Sequence, residues 1–157
     1  MFKHIFFEVN YRLPKSTKLH HRTLINNLFD DGTSLYAYPL RLIYREFSKE
    51  KLADSFCKNS PTDINNIQFM ITIPKKKQRR AVNRVLLRRR IREAFRLCRP
   101  EFTTCFESIR GDDHYLSLAF IYLSDDITDF DDIRAKMNRL LAKVSKNIGS
   151  SNTDEMP

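Results

Sequence analysis

Ile67 to Arg99 reads "IQFMITIPKKKQRRAVNRVLLRRRIREAFRLCR", and its two halves follow different periods. Ile67 to Ile73 is a compact, β-branched run that stops at Pro74, which predicts a strand. From Ala81 to Cys98 the period lengthens. At 100° per residue Leu87, Ile91, Ala94 and Cys98 recur at spacings of four, three and four and fall in one narrow sector. A strand thus leads into an amphipathic helix whose apolar face must rest on a sheet. Another face of the same helix carries Arg84, Arg88, Arg92 and Arg96 in an i, i+4 row, with Arg89 beside it and Arg99 in line beyond.

The flanking sequence supplies the rest of the sheet. "MFKHIFFEVNYRLPK" is apolar but short and broken by Pro14, so it reads as strand or coil. A helix is expected from about Thr17 to Asp31: Ser16 or Thr17 can cap it, Leu19, Ile25, Leu28 and Phe29 recur at helical spacing, and Gly32 ends it. "SLYAYPLRLIYREF", Ser34 to Phe47, alternates as a half-buried strand does, with Pro39 near its start. Residues 48–66 are polar, contain Pro61 and hold no period, which suggests an insertion or long hairpin loop. Pro100 is expected to block continuation of the basic helix. "HYLSLAFIYL", His114 to Leu123, is apolar on both alternations, as a central strand is. A last helix begins near Asp129, repeats Ile133, Met137, Leu140, Leu141 and Val144, and has acids in its first turn and Lys143 and Lys146 in its last. The expectation is one α+β domain over residues 1–148, a sandwich of helices on a sheet, followed by a frayed tail over 149–157.

Charge says what the surface is for. The 157 residues hold 28 basic and 19 acidic side chains, a net charge of +9. Lys75 to Arg99 alone holds twelve basic residues and one acid, Glu93, which leaves 16 basic against 18 acidic residues elsewhere. A surface tuned for solubility intersperses its signs, whereas a cluster this one-sided calls for a polyanionic partner. Like charges at i, i+4 destabilise a helix by about 0.2–0.5 kcal/mol per pair, and something outside the helix must offset that. From Arg79 onward every cation of the window is arginine, whose guanidinium forks onto phosphate oxygens. Lys75, Lys76, Lys77, Arg79 and Arg80 precede the helix and can follow an irregular backbone. A membrane-surface helix would show a broad Leu/Phe/Trp face; a DNA-reading helix would follow a second helix and a tight turn. RNA phosphate fits best.

No catalytic constellation accompanies this surface. The acids of "SDDITDFDD", Asp125, Asp126, Asp129, Asp131 and Asp132, precede a helix that they cap and charge-match, and neither a metal site nor a protein-borne catalytic residue is predicted. His20 and His21 are adjacent and cannot share a helix face, while His4 and His114 are isolated. Three glycines exclude a Gly-rich phosphate loop. Cys57, Cys98 and Cys105 are too widely spaced for a zinc site and read as reduced thiols. With no stretch apolar enough to span a bilayer, the composition points to the cytoplasm, and no membrane or small-molecule substrate is expected.

"IPKKKQRRAVNRVLLRRRIREAFR" resembles the hallmark of the bacterial ribonuclease P protein family. In that family a strand leads to Pro or Ser, then Lys-Lys/Arg, then Ala-Val-x-Arg-Asn-x-x-Lys-Arg-x-x-Arg-Glu-x-Phe/Tyr-Arg. Pro74, Lys75, Lys76, Arg84, Arg88, Arg89, Arg92, Glu93, Phe95 and Arg96 match it in type and spacing. The resemblance extends from about Leu13 to Leu141, less the insertion. It departs at Val85, where the family has Asn, and at Leu86, where many members carry a second Arg; an apolar side chain thus interrupts the arginine ridge.

The resemblance implies a ribosomal-protein-like fold, a two-layer sandwich with three helices in the order α-β-β-β-α-β-α and a left-handed β-α-β crossover. It implies a subunit of an endoribonuclease that removes the 5′ leader from precursor tRNA, in which a catalytic RNA does the chemistry with Mg²⁺ that it mainly holds itself. RNA-binding residues would be Lys75, Lys76, Arg79, Arg80, Arg84, Arg88, Arg89, Arg92 and Arg96. The single-stranded leader would lie in an aromatic-lined cleft between sheet and first helix, where Phe29 and Tyr44 match family positions and Ile25 falls where an aromatic is common. A non-enzymatic RNA-binding module of ribosomal or chaperone type and a protein-only nuclease are the alternatives.

Overall fold

A computed structural model describes residues 9–55 and 65–151. Four strands, β1 (Thr33–Ala37), β2 (Leu40–Ser48), β3 (Ile67–Thr72) and β4 (His114–Tyr122), form one mixed sheet in the order β1-β2-β4-β3. β2 pairs antiparallel with both β1 and β4, and β3 pairs with β4 in parallel. The parallel pair is joined by α3 (Ala81–Arg110), while α1 (Arg22–Asp31), α2 (Lys49–Ser55) and α4 (Phe130–Ser151) complete the helices among the described residues. Apart from the short α2, this is the expected order.

Two apolar clusters use the two faces of the sheet. Leu40 and Leu42 of β2 and Leu116, Leu118, Phe120 and Tyr122 of β4 meet Leu87, Ile91, Phe95, Phe102 and Phe106 of α3 and Ile133, Met137, Leu140 and Val144 of α4. The alternate residues, Ile43 of β2 and Ala119 of β4, meet Leu24 and Leu28 of α1 and Leu52 of α2. The sheet with α3 and α4 thus forms two main layers, and α1 with α2 covers part of the opposite face. β4, expected in the interior, lies between β2 and β3.

Several expectations about elements need correction. Ser34 to Phe47 is not one strand: Tyr38 and Pro39 form the turn of a hairpin, and the Pro39 carbonyl accepts a hydrogen bond from Leu123 N at 2.8 Å. A residue without an N–H fits that turn better than a ladder. The first helix starts at Arg22, not Thr17. The Thr17 hydroxyl turns back to the Pro14 carbonyl, and Leu19 N donates to the Phe69 carbonyl at 2.9 Å, so residues 18–19 join the β3 edge instead.

Within residues 48–66, Lys49–Ser55 is helical, with Leu52 as its buried anchor; two turns with one apolar residue show no period to read. Residues 56–64, with Cys57 and Pro61, lie outside the described residues. Pro100 does not end the basic helix, which runs on to Arg110. An interior proline costs about 3 kcal/mol, but the continuation buries Phe102 and Phe106, each worth about 1.5–3 kcal/mol. Gly111, at φ 71°, stops it. α4 likewise runs to Ser151, past the expected start of the tail, and residues 152–157 lie outside the described ones.

Gly32 closes α1 because nothing larger fits. A Cβ there would stand 2.2 Å from the Leu28 carbonyl oxygen and 2.5 Å from a methyl of Ile43. The helix can therefore turn directly into β1.

Candidate nucleic-acid interface

The interface starts at the turn after β3. Lys77 N and Gln78 N both donate to the Pro74 carbonyl at 3.1 Å. Gln78 is buried, and its amide donates to the carbonyls of Ser124 and Asp126 at 3.2 Å, which ties the basic loop to the loop between β4 and α4. Arg84 clamps the same loop from the helix, donating to the carbonyls of Gln78 and Arg79 at 2.9 and 2.8 Å. Lys77 reaches Asp125 at 3.9 Å. Expected as free charges on a pliable loop, Lys75, Lys76, Arg79 and Arg80 are instead exposed on a braced one.

Along α3 the arginines divide into two groups. Arg84, Arg90, Arg96 and Arg99 are engaged within the protein: Arg90 donates to the Thr128 carbonyl at 2.7 Å and Arg99 to the Arg12 carbonyl at 3.2 Å. Arg96 forks onto Glu93 at 2.8 and 2.6 Å, with the Tyr11 ring 5.7 Å from its guanidinium carbon. That pairing holds the Glu93 carboxyl below, and the Arg96 guanidinium above, its ordinary value. Burial lowers the pKa of Arg99 and raises that of the Cys98 thiol. Arg88, Arg89 and Arg92 form the second group. They are exposed and have no hydrogen bond or ion pair among the described residues. Val85 stands among them, 45% exposed, on the solvent side as its wheel position requires.

Arg88 and Arg92 line a groove of about 550 Å³. Lys15 and Lys18 line it as well, and Leu19, Phe69, Met70 and Ile71 supply apolar lining. Cations from two separate segments beside apolar side chains suit a chain with charged backbone and flat, uncharged bases. Lys15 and Lys18 could not be placed from sequence because they enter the site only through the pairing of residues 18–19 with the β3 edge.

The three residues expected to line an aromatic cleft do not converge. Tyr44 lies on the α4 side of the sheet, packed against the main core, and its hydroxyl accepts a hydrogen bond from the Asn147 amide at 3.2 Å. Ile25 and Phe29 stand on the other side, on α1. On that helix Asn27 and Asp31 lean towards Arg45, at 3.3 and 3.4 Å, so Ile25 and Phe29 occupy the opposite flank. Phe29 is 44% exposed.

Across the α1 side of the sheet runs a row in register, Tyr36, Arg41, Ile121 and Thr72, one residue from each strand. The Arg41 guanidinium lies 5.5 Å from the Tyr36 ring centre, and Tyr36 is 58% exposed. The hairpin register would have revealed this pair, since a turn at Tyr38–Pro39 sets residue 36 opposite residue 41.

A protein-family profile described as Ribonuclease P matches residues 13–145, which include α3, its braced loop and the residues that line the groove. The chain belongs to the ribonuclease P protein family. It is 30% identical over 141 residues to the ribonuclease P protein component of Porphyromonas gingivalis, covering 90% of this chain and 92% of that one. Identity to the corresponding component of Chlorobaculum tepidum is 28% over 139 residues, with 86% and 84% covered. The solved structure of the Staphylococcus aureus RNase P protein overlays with a TM-score of 0.46 at 16% identity, over 83% of this chain and 95% of that one. As a ribonuclease P protein the chain is a subunit of a tRNA-processing endoribonuclease, which decides between the enzyme-subunit reading and its alternatives.

Proposed function

We propose that the chain grips the catalytic RNA of ribonuclease P with α3 and its braced loop, and holds the 5′ leader of precursor tRNA on the α1 side of the sheet. The observation that carries this reading is the groove that Arg88 and Arg92 line together with Lys15, Lys18 and a set of apolar side chains. Phosphates take the cations, and unpaired bases take the apolar side chains. Met70 belongs to the α1 face and Arg88 and Arg92 to α3, so the groove joins the two surfaces. Lys75, Lys76, Arg79, Arg80 and Arg89 extend the phosphate-binding surface, while Arg84 and Arg96 shape it from within. Phe29, Tyr36 and Arg41 offer stacking faces to leader bases, an interaction that tolerates many sequences.

Mg²⁺ belongs to the RNA in this reading. Among the described residues no group of three or more His, Cys, Asp or Glu side chains is placed to hold an ion, and no step is assigned to a protein-bound metal. The cytoplasm is the compartment proposed; no helix among the described residues is long and apolar enough to cross a membrane.

The test adds the full-length chain to a bacterial ribonuclease P RNA at low Mg²⁺ and follows cleavage of precursor tRNA. Cleavage should accelerate with both components present and be absent with protein alone. An RNA whose rate ignores the protein would overturn the proposal, and cleavage by the chain alone would place the chemistry on the protein.

A further inference from the structure

Helix α4 carries a second row of cations, hidden in the near-neutral sum of the chain outside the basic window. From Ile133 to Ser151 there are five basic residues and no acid. Lys136, Arg139, Lys143 and Lys146 follow one another at spacings of three, four and three, inside a sector about 80° wide at 100° per residue. Neighbours fix that sector on the molecule. Ile133, Met137, Leu140 and Val144 face the core. Asn138 accepts a hydrogen bond from the Cys98 thiol of α3 on one flank, while Asn147 reaches Tyr44 of β2 on the other. The cations continue outward from the Asn147 flank, away from α3.

The row has no explanation within the protein. Arg139, Lys143 and Lys146 are exposed and Lys136 is half-buried, and none of their side chains has an ion pair or hydrogen bond among the described residues. Asp132, one turn before Lys136, is the nearest acid along the helix and is not bonded to it. The helix dipole favours cations in the last turn only, and because α4 runs on to Ser151 none of the four lies there, Lys143 and Lys146 included, contrary to the expectation from sequence. Solubility alone would intersperse acids.

We propose that this flank of α4 is a second binding surface for RNA phosphates, reached by a part of the folded RNA other than the part held by α3. The inference rests on the reading of the chain as an RNA-gripping subunit and extends its footprint. From Lys136 to Lys146 the row spans about 15 Å along the helix axis, enough to meet several phosphates. α4 lies over β1 and β2 and α3 over β3, so the two basic surfaces face opposite edges of the sheet. An occupant of both must be large and folded, as a structured RNA is and a short leader is not. A second copy of the chain docked symmetrically through this flank would set the same cations against each other, which charge repulsion opposes.

The test compares three full-length proteins for affinity to a ribonuclease P RNA over a range of salt: the unaltered chain, a variant with Lys136→Gln, Arg139→Gln, Lys143→Gln and Lys146→Gln, and a variant with Arg88→Gln and Arg92→Gln. Each phosphate deprived of its protein cation lowers the slope of log affinity against log salt by about 0.7–0.9. The α4 variant should therefore bind with a slope shallower by about 1.5–3.5 while its circular dichroism stays that of the parent. In the unaltered complex, Lys136, Lys143 and Lys146 should be protected from acylation. An unchanged slope with fully reactive lysines overturns the inference, while a reduced slope in the α3 variant leaves the underlying reading intact. Failure of the unaltered chain to bind RNA overturns that reading itself. Failure of the α4 variant to bind phosphatidylserine vesicles that the unaltered chain binds, with RNA binding unaffected, would assign the flank to a lipid surface and also overturn the inference.

Discussion

Arg88 and Arg92 stand one turn apart on α3, exposed and unpaired among the described residues, and they line the groove that Lys15 and Lys18 also line. Replacing either with Ala should lower the salt slope of RNA binding by about 0.7–0.9 for each phosphate that the guanidinium neutralises, with little change in melting temperature; a slope unaltered by both replacements would count against the ridge. Val85 sits among these arginines with its side chain in solvent. Val85→Asn should tighten RNA binding, because an amide can hydrogen-bond where the isopropyl group cannot; a fall in affinity in the same titration would show that Val85 does not face the RNA. Glu93 makes the surface sensitive to acid. Its carboxyl is held below its ordinary value by the forked bond from Arg96, and a depressed carboxyl contributes stability that is present above its unfolded value and lost as pH falls through the folded one. Melting temperature should therefore decline on acidification through and below the ordinary carboxylate range, and less steeply in Glu93→Gln. All these positions were legible in the sequence, because a helix fixes the angle of each residue. That Arg84 and Arg90 turn to backbone carbonyls was not, since those carbonyls belong to loops remote in sequence or turned back by tertiary packing.

At the scale of elements, α3 shows how burial overrides a local breaker. Pro100 lies inside a thirty-residue helix whose distal part is held by Phe102 and Phe106. Phe106→Ala should destabilise the protein by about 3–5 kcal/mol, whereas Pro100→Ala should stabilise it, by up to about 3 kcal/mol; denaturant unfolding would measure both, and equal signs would contradict this balance. The sequence marked the breaker and also the phenylalanines, but which prevails depends on whether a surface waits for those rings. α4 and the sheet provide it. The hairpin shows the same limit from the other side. Alternation from Ser34 to Phe47 is real, yet whether Pro39 lies in a strand or in a turn depends on which partners the strands on either side find. α2 was illegible because a single leucine sets no period.

Across the whole molecule, two helices on one face and α1 on the other divide the sheet into a core side and an open side. Tyr44 and Phe29 fall on different sides, so they cannot share a cleft, whereas Phe29 and the Tyr36–Arg41 pair are both on the α1 side. Phe29→Ala and Tyr36→Ala should each weaken binding of precursor tRNA by about 1–3 kcal/mol for a base stacked there, and leave binding of mature tRNA, which has no leader, unchanged. Equal weakening for both ligands would remove the leader from this face. The sequence by itself determined the strand-to-helix passage, the arginine ridge, the central strand and the family hallmark, because each is written in a local period or in the identity of consecutive residues. Only the tertiary structure decided which arginines stay free, which lysines line the groove and which aromatics share a face, because these follow from strand register and from packing between segments far apart in the chain, where a shift of one residue turns a side chain to the opposite side of the sheet.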